Sequence, residues 1–369
     1  MALPTDLNDL AKLTLLASDA SYFDPTHPAP TELGSLDDTN YGQRAALYSV
    51  PAGFEKAIEF RDTTINGFGF VAYRNQQTNE VIVAFRGTDG PSPQDWVANS
   101  QYLGWNQWNS PNGRGQVFAF LNGLRDPNGD PYSGTIHFTG QSLGGGLAQY
   151  AAYEYVKSKT TPSDPTFDST FDKSHITLTT FNGFGGVLGL QQNVQGGYQS
   201  SVLAGIGSNA HFYAEGDLIS RLGSLNGVGH TGGTAYMVNA HATEIDPDTG
   251  EPFLLGLIDA HRIDTGLYPF LLPGVEFEAA EARPIEYLPM QHVQELAALY
   301  GRVLNDQDVS PLESGPRLVA GVIAGLTLGR PSETNALVQA VFANLHAANK
   351  IGDAKKKVSG TIVCRGDVN

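Results

Sequence analysis

The sequence predicts an α/β fold in which helices flank a mostly parallel central sheet. A continuous apolar run, typical of a strand buried on both faces, occurs at 81–85 ("VIVAF"), and another buried-strand candidate lies at 135–140 ("TIHFTG"). Further strand candidates follow at 175–183 and 210–217, and helical patterns lie between several of these segments. Strands that alternate with helices along a chain favour a parallel sheet, because each helix returns the chain to the end of the sheet where the previous strand began.

The two ends of the chain differ from this central part. An amphipathic helix is predicted to open at Thr5 or Asp6, and its interrupting charges do not fit a signal peptide. Residues 1–284 are expected to form the main domain, and helical spacing in residues 285–369 predicts a helical C-terminal extension. Two roles stay open for the extension: packing against the main domain, or binding a membrane surface or a partner.

Composition narrows the classes of partner. The chain of 369 residues carries a net charge of −16, from 38 acidic and 22 basic residues, which disfavours nucleic acid as a partner. An uncharged or cationic partner fits this charge better. A single cysteine, Cys364, excludes an intrachain disulfide. The longest small-residue apolar run, at 318–329, is too short for the roughly 20 residues that a membrane span needs.

A serine flanked by glycines follows the second predicted buried strand. Gly140, Ser142 and Gly144 fill the pattern G-x-S-x-G, in which a sharp strand-to-helix turn presents a nucleophilic serine. The pattern alone is weak in a chain with 43 glycines. Its setting strengthens it, since a buried strand precedes it and a small-residue helix pattern follows. Ser142 is therefore a candidate nucleophile, and a structural glycine turn is the alternative.

The predicted helix after Ser142 also supplies hydrogen-bond donors. Backbone N–H groups in a first helical turn point toward the preceding residue's side chain, where the helix dipole favours negative charge. The amide of Leu143 is therefore a natural donor to an oxyanion. A second donor is expected from another strand-end loop, and Thr88 follows the strongest buried-strand signal.

Two motifs together resemble a known family. "VIVAFRGTDG…DW" followed by "IHFTGQSLGGGLAQ" resembles the lipase class 3 family, the fungal-type triacylglycerol lipases with the α/β-hydrolase fold. The resemblance covers roughly residues 60 to 270. It implies Ser142 as nucleophile and an oxyanion hole made by Thr88 and the Leu143 amide. It also implies a carboxylic-ester hydrolase that acts on lipid esters, at a lipid–water interface, and needs no metal or cofactor.

The sequence departs from the family pattern in two places. Gln141 stands where the family usually carries histidine, and residues 114–123 lack a histidine often seen in that segment. Both departures indicate a distant branch of the family. Neither removes a residue that the ester chemistry needs.

The chain order serine, acid, histidine in α/β hydrolases filters the remaining candidates. Asp217, in "HFYAEGDLISRLG", resembles the segment that carries the family's acid, and His261, in "LLGLIDAHRIDTGLY", resembles the loop of its catalytic histidine. His230, in "GVGHTGGTAYMV", resembles a histidine that is not the base in the family and is the second candidate. His241 and His292 stay open, with a surface or capping role as the default for each.

All three tryptophans follow closely after Thr88, in a polar stretch rich in proline and glycine. Trp96, Trp105 and Trp108 are explained either by the packing of a long loop or by a mobile lid around residues 90–101. The pair Asp95–Trp96 corresponds to an acid–aromatic pair that is common in the family.

Several points stay open at this stage. Phospholipase A1, aryl esterase and polyester hydrolase share the same catalytic residues, because specificity depends on the lid and the acyl groove. A non-catalytic lipid-binding module is the alternative from another class. The segments 126–130 and 246–251 faintly resemble calcium loops but are predicted to be turns. Acyl chain length and oligomeric state are not predicted.

Overall fold

A central sheet dominates the part of the chain that the computed structural model describes. The described residues are 5–21, 50–62, 68–87, 104–110, 112–214, 217, 220, 229–238, 241–245, 252–254, 267 and 281–282. The predicted C-terminal extension, residues 285–369, lies outside them.

Eight of the described strands form one sheet, in which they stand in the order in which they occur along the chain. The strands are β1 (Glu55–Arg61), β2 (Gly69–Asn75), β3 (Glu80–Phe85), β4 (Thr135–Gln141), β5 (Ile176–Phe181), β6 (Ser208–Ala214), β7 (Thr234–Val238), β8 (His241–Ile245), β9 (Pro252–Leu254) and β10 (Glu281–Ala282). The sheet order is β1-β2-β3-β4-β5-β6-β7-β10, and β8 and β9 pair separately. Strands β3 to β7 run parallel, while β1, β2 and β10 join antiparallel. The predicted α/β fold with a mostly parallel sheet is confirmed.

Helices cover both faces of this sheet. They are α1 (Thr5–Ala20), α2 (Trp105–Trp108), α3 (Arg114–Gly123), α4 (Leu143–Thr160) and α5 (Val187–Asn193). Leu147 on α4 belongs to the same buried cluster as Val83 and Phe138, whereas Ala17 on α1 packs in a second cluster with Ile82. Successive side chains of a strand point to opposite faces, so the buried residues of β3 and β4 pack against helices on both sides of the sheet.

Short-range predictions in this part of the chain are also confirmed. Helix α1 begins at Thr5, one of the two predicted starting residues. The segment 126–130 is a turn, since the amide of Gly129 donates to the carbonyl of Asp126 and Arg125 pairs with Pro131 across it. In the portion that the structure describes, no helix combines the length and apolarity needed to cross a bilayer.

Two of the three tryptophans are core residues. Trp105 is 5% exposed, and Trp108 is fully buried, with its ring centroid 6.1 Å from that of Phe85. The Nε1 of Trp108 donates to the carboxylate of Glu154 on α4 over 2.6 Å. Packing therefore explains these two tryptophans. Trp96 lies outside the described residues.

Candidate active site

Ser142 occupies a strained turn between β4 and α4. Its backbone has φ 58° and ψ −126°, a left-handed φ that a residue with a Cβ rarely adopts, at a cost of about 1–3 kcal/mol. Two backbone hydrogen bonds hold it there: its amide donates to the carbonyl of Phe181 over 3.1 Å, and its carbonyl accepts from the amide of Gly145 over 3.0 Å. The predicted strand–serine–helix turn is therefore present, with the serine at the junction.

The flanking glycines allow the backbone segments to approach closely. A Cβ on Gly140 would lie 2.3 Å from the carbonyl of Gly144, and a Cβ on Gly144 would lie 2.2 Å from the carbonyl oxygen of Phe85. Real Cβ atoms do not tolerate such contacts, so the turn requires glycine at both positions. The second contact also brings the end of β3 against the turn.

This approach of β3 bears on the predicted oxyanion hole. Leu143 is the first residue of α4, so its amide lies at the positive end of that helix, next to Ser142. Thr88 lies outside the described residues. Arg86, two residues before Thr88, does lie within the described residues. A Cβ on Gly144 would be 3.0 Å from the carbonyl carbon of Arg86, so the chain that leads to Thr88 passes directly against the turn.

The predicted acid, Asp217, follows the end of β6. It is fully buried, and its Oδ2 accepts hydrogen bonds from the amide of Ser220 over 3.1 Å and from the Ser220 hydroxyl over 2.6 Å. Its own amide donates to the carbonyl of Ala214, the last residue of β6, over 3.0 Å. Buried carboxylates persist only when hydrogen bonds satisfy them. Ser220 provides two of those bonds and fixes the carboxylate.

Asn182 links the nucleophile's side of the sheet to the acid's side. It follows β5 with a left-handed φ of 47°, its amide donates to the carbonyl of Phe212 over 2.8 Å, and its Oδ1 accepts from the amide of Ala214 over 2.8 Å. Ser142 and Asp217 thus lie beyond the carboxyl ends of β4 and β6, with the end of β5 joining them. Sequence reasoning missed Asn182, although asparagine after a buried strand is a known signal for a left-handed turn.

Two histidines pack together beside the acid. The rings of His211 and His230 lie 4.4 Å apart. The Nε2 atoms face carbonyl oxygens of Gly232, at 2.8 Å, and Gly183, at 3.1 Å, so each Nε2 carries the proton and donates. The hydroxyl of Thr180 therefore donates to Nδ1 of His211, at 2.8 Å.

Both histidines are neutral in this arrangement. Burial lowers the pKa of His230 to about 4, against the opposing effects of its bond to Gly183 and of the Asp217 charge. Burial also lowers the pKa of His211 well below its usual value. Because Nε2 of His230 is committed to a carbonyl, this ring is not free to take a proton from Ser142 through that atom. The preferred base, His261, lies outside the described residues, as do Asp95 and Trp96.

Within the described ranges, no group of three or more His, Cys, Asp or Glu side chains is placed to hold a metal ion.

Comparisons with known proteins identify similar structures only. No family model and no curated protein sequence matches the chain. Three of the similar solved structures are lipases. The Rhizomucor miehei lipase–propeptide complex is 15% identical, with 64% of this chain and 70% of that one covered and a TM-score of 0.40. A mono- and diacylglycerol lipase from Aspergillus oryzae is 18% identical, with coverage of 74% and 94% and a TM-score of 0.41. A triacylglycerol lipase whose catalytic centre is formed by a serine protease triad is 16% identical, with coverage of 72% and 98% and a TM-score of 0.43.

Proposed function

We propose that this chain is a carboxylic-ester hydrolase that acts on lipid esters through an acyl-enzyme formed on Ser142. The observation that carries the proposal is the strained backbone of Ser142 at the junction of a buried parallel strand and a helix N-terminus. Strain persists where the surrounding structure enforces it, and such strain clusters at active sites. The position of Ser142 directly before α4 supports a role for its hydroxyl next to the Leu143 amide, one of the donors that an oxyanion requires.

The described residues fit the acid and oxyanion roles of a serine hydrolase. Attack of the Ser142 hydroxyl on an ester carbonyl forms a tetrahedral oxyanion, which the amide of Leu143 and Thr88 stabilise. His261 takes the serine proton and passes it to the departing alcohol. Buried Asp217 orients His261 and stabilises its protonated form. Water, activated by the same histidine, then releases the carboxylic acid and restores Ser142.

The burial of Ser142 supports a segment that covers the proposed active site. Ser142 is 2% exposed, and such burial fits a segment that covers the site in water and opens for substrate. Residues 90–101, with the pair Asp95–Trp96, are our proposed cover. Opening at a lipid–water interface would make the protein a triacylglycerol lipase, whereas esters hydrolysed equally well in free solution would indicate an esterase.

The first experiment measures the hydrolysis of p-nitrophenyl esters of increasing chain length by the wild-type protein and by two histidine variants. His261→Ala should lower kcat by at least about 1,000-fold, because it removes the base. His230→Ala should fold less stably and lose far less kcat than His261→Ala, because it removes a loop contact and not the base. A large loss in His230→Ala with little loss in His261→Ala would reverse the assignment of the base. A folded wild type with no activity on any ester would favour a lipid-binding module.

Interfacial behaviour is tested on the same preparation. Activity on short-chain triacylglycerols is followed below and above their solubility limit, and a sharp rise above that limit supports the cover. Activity that follows only the dissolved concentration contradicts it and favours a soluble-ester esterase.

A further inference from the structure

A buried glutamine on α4 makes four hydrogen bonds near the candidate site. Gln149 lies two turns beyond Ser142 and is fully buried. Its Nε2 donates to the carbonyl of Gly145 over 3.1 Å and to that of Phe184 over 2.5 Å. Its Oε1 accepts from the amides of Gly186, at 2.9 Å, and Thr231, at 3.0 Å. Two donors and two acceptors are thus all used, which is the full capacity of a carboxamide.

These four bonds join three separate segments at one end of the sheet. Gly145 belongs to the first turn of α4, the turn that also contains Leu143. Phe184 and Gly186 belong to the loop after β5, and Thr231 to the loop before β7. Only backbone groups are bonded, so the side chain of Gln149 supplies the hydrogen bonds that secondary structure does not supply where two loops meet the first turn of α4.

The segments held by Gln149 touch the candidate catalytic groups. A Cβ on Gly145 would lie 2.8 Å from the Cα of Gly183, so the first turn of α4 rests directly on the loop after β5. The carbonyl of Gly183 in turn accepts from His230, the neighbour of Thr231. A shift of either loop therefore moves the turn that aims the Leu143 amide.

The loop after β5 is shaped around this side chain. A Cβ on Gly186 would lie 2.9 Å from the Cβ of Gln149 and 3.3 Å from its Oε1. Glycine at 186 allows the amide to approach the carboxamide directly. The hydrogen bond from Gly186 to Gln149 therefore depends on both the glutamine of α4 and the glycine of the loop.

We propose that Gln149 is a positioning residue, which holds the oxyanion-binding turn of α4 in register with the loops after β5 and before β7. This inference rests on the proposed ester hydrolysis at Ser142. It assigns Gln149 an effect on the transition state through Leu143, without contact with the substrate. The carboxamide is required because it alone matches two carbonyls and two amides at once.

Gln149→Glu is the closest variant in shape, and it replaces the two amide donors of the side chain by a carboxyl group. An ionised carboxyl would bring a buried charge against the carbonyl oxygens of Gly145 and Phe184, and a protonated one could donate to only one of them. A small error in oxyanion geometry weakens transition-state binding more than substrate binding. We expect kcat for a p-nitrophenyl ester to fall by about 30-fold or more, with KM changed by less than about threefold.

Tyr153→Phe is the matched control on the same helix. The Tyr153 hydroxyl is also buried, donates to the carbonyl of Gly197 over 3.2 Å and accepts from the amide of Gln199 over 2.9 Å. Those partners belong to the segment after α5, one turn of α4 further from Ser142 than Gln149 is. Its loss should lower the Tm and leave kcat within about twofold.

Both variants are assayed well below their Tm values, with active sites counted by a fluorophosphonate. A low kcat at unchanged KM in Gln149→Glu alone supports the inference. Equal kcat in Gln149→Glu and the wild type, or equal losses in both variants, overturns it. A wild type that hydrolyses no ester instead overturns the proposed function, so the two failures are distinguishable. If Gln149→Glu does not fold, Gln149→Met replaces it, with the same expected split between kcat and KM.

Discussion

Two clusters of hydroxyl, histidine and carboxylate groups lie at opposite ends of the central sheet, and only one has the features of an active site. Near the amino ends of the strands, His137 on β4 has its Nε2 3.3 Å from Oε1 of Glu80 and its Nδ1 2.8 Å from the hydroxyl of Thr177. Beyond the carboxyl ends lie Ser142 and Asp217. The residue types are alike, so residue type alone does not identify the site.

The backbone distinguishes the two clusters. His137 and Thr177 are paired members of regular strands, and their side chains satisfy one another. Ser142 instead lies between β4 and α4 with a left-handed φ, and the turn depends on glycine contacts with two other segments. In open α/β sheets, ligands bind outside the carboxyl ends of the strands, where loops rather than ladders position the side chains. The amino-end cluster is expected to affect stability alone.

The largest expected effect comes from Ser142→Gly. Removing the hydroxyl should lower ester hydrolysis by at least about 1,000-fold. Removing the Cβ from a residue at φ 58° should also relieve strain and stabilise the fold by about 1 kcal/mol. Hydrolysis rates and Tm are measured together. Ser142→Ala is the control, since it should lose the same activity without a comparable rise in Tm. An unchanged or lower Tm in Ser142→Gly would contradict the strain.

Gly144→Ala should have the next largest effect, through the contact between the turn and β3. The added methyl would lie 2.2 Å from the carbonyl oxygen of Phe85, so we expect a loss of about 3 kcal/mol and a fall in activity as β3 shifts. Urea denaturation measures the difference. Gly115→Ala, on α3 with no atom within 4 Å of the added Cβ, should be neutral or gain up to about 1 kcal/mol. Equal stabilities for the two variants would rule out the close approach.

The smallest effect is expected at the amino end, from Glu80→Gln. The hydrogen bond from His137 lowers the pKa of Glu80, so the carboxylate stabilises the fold above its unfolded pKa and loses that contribution as the pH falls through its lowered value. Glu80→Gln should therefore flatten the acid limb of stability, below about pH 4.5. The change in the free energy of unfolding should stay under about 1 kcal/mol, because Glu80 is partly exposed. Denaturant unfolding from pH 6 to pH 3 tests this, and a loss of ester hydrolysis at neutral pH would contradict the separation of the two clusters.

Local patterns predicted much of this molecule. The apolar runs of β3 and β4 and the helix that begins at Thr5 follow from periodicity and capping, which depend on nearby residues only. The turn at Ser142 was likewise visible in its glycine spacing. The placement of Asp217 at the end of a strand agrees with its sequence setting, while the roles of Thr88, His261 and the segment 90–101 stay predictions.

Features that depend on distant pairs were not predictable. Gln149 bonds to residues up to 82 positions away, and His211 and His230 meet only because β6 and the loop before β7 are neighbours in the folded sheet. A single glutamine in a helix carries no sign of such partners in its sequence. Asn182 could have been suspected from turn chemistry, but its link to Ala214 required the sheet order.

The most direct test of the central claim is covalent labelling of the folded protein with a fluorophosphonate, followed by peptide mapping. The label should appear once, on the peptide that contains Ser142, and should be absent from Ser142→Ala. Asp217→Asn should be labelled much more slowly, because the base would lose its orienting carboxylate. A folded protein that takes no label, or takes it on a serine other than Ser142, would contradict the account.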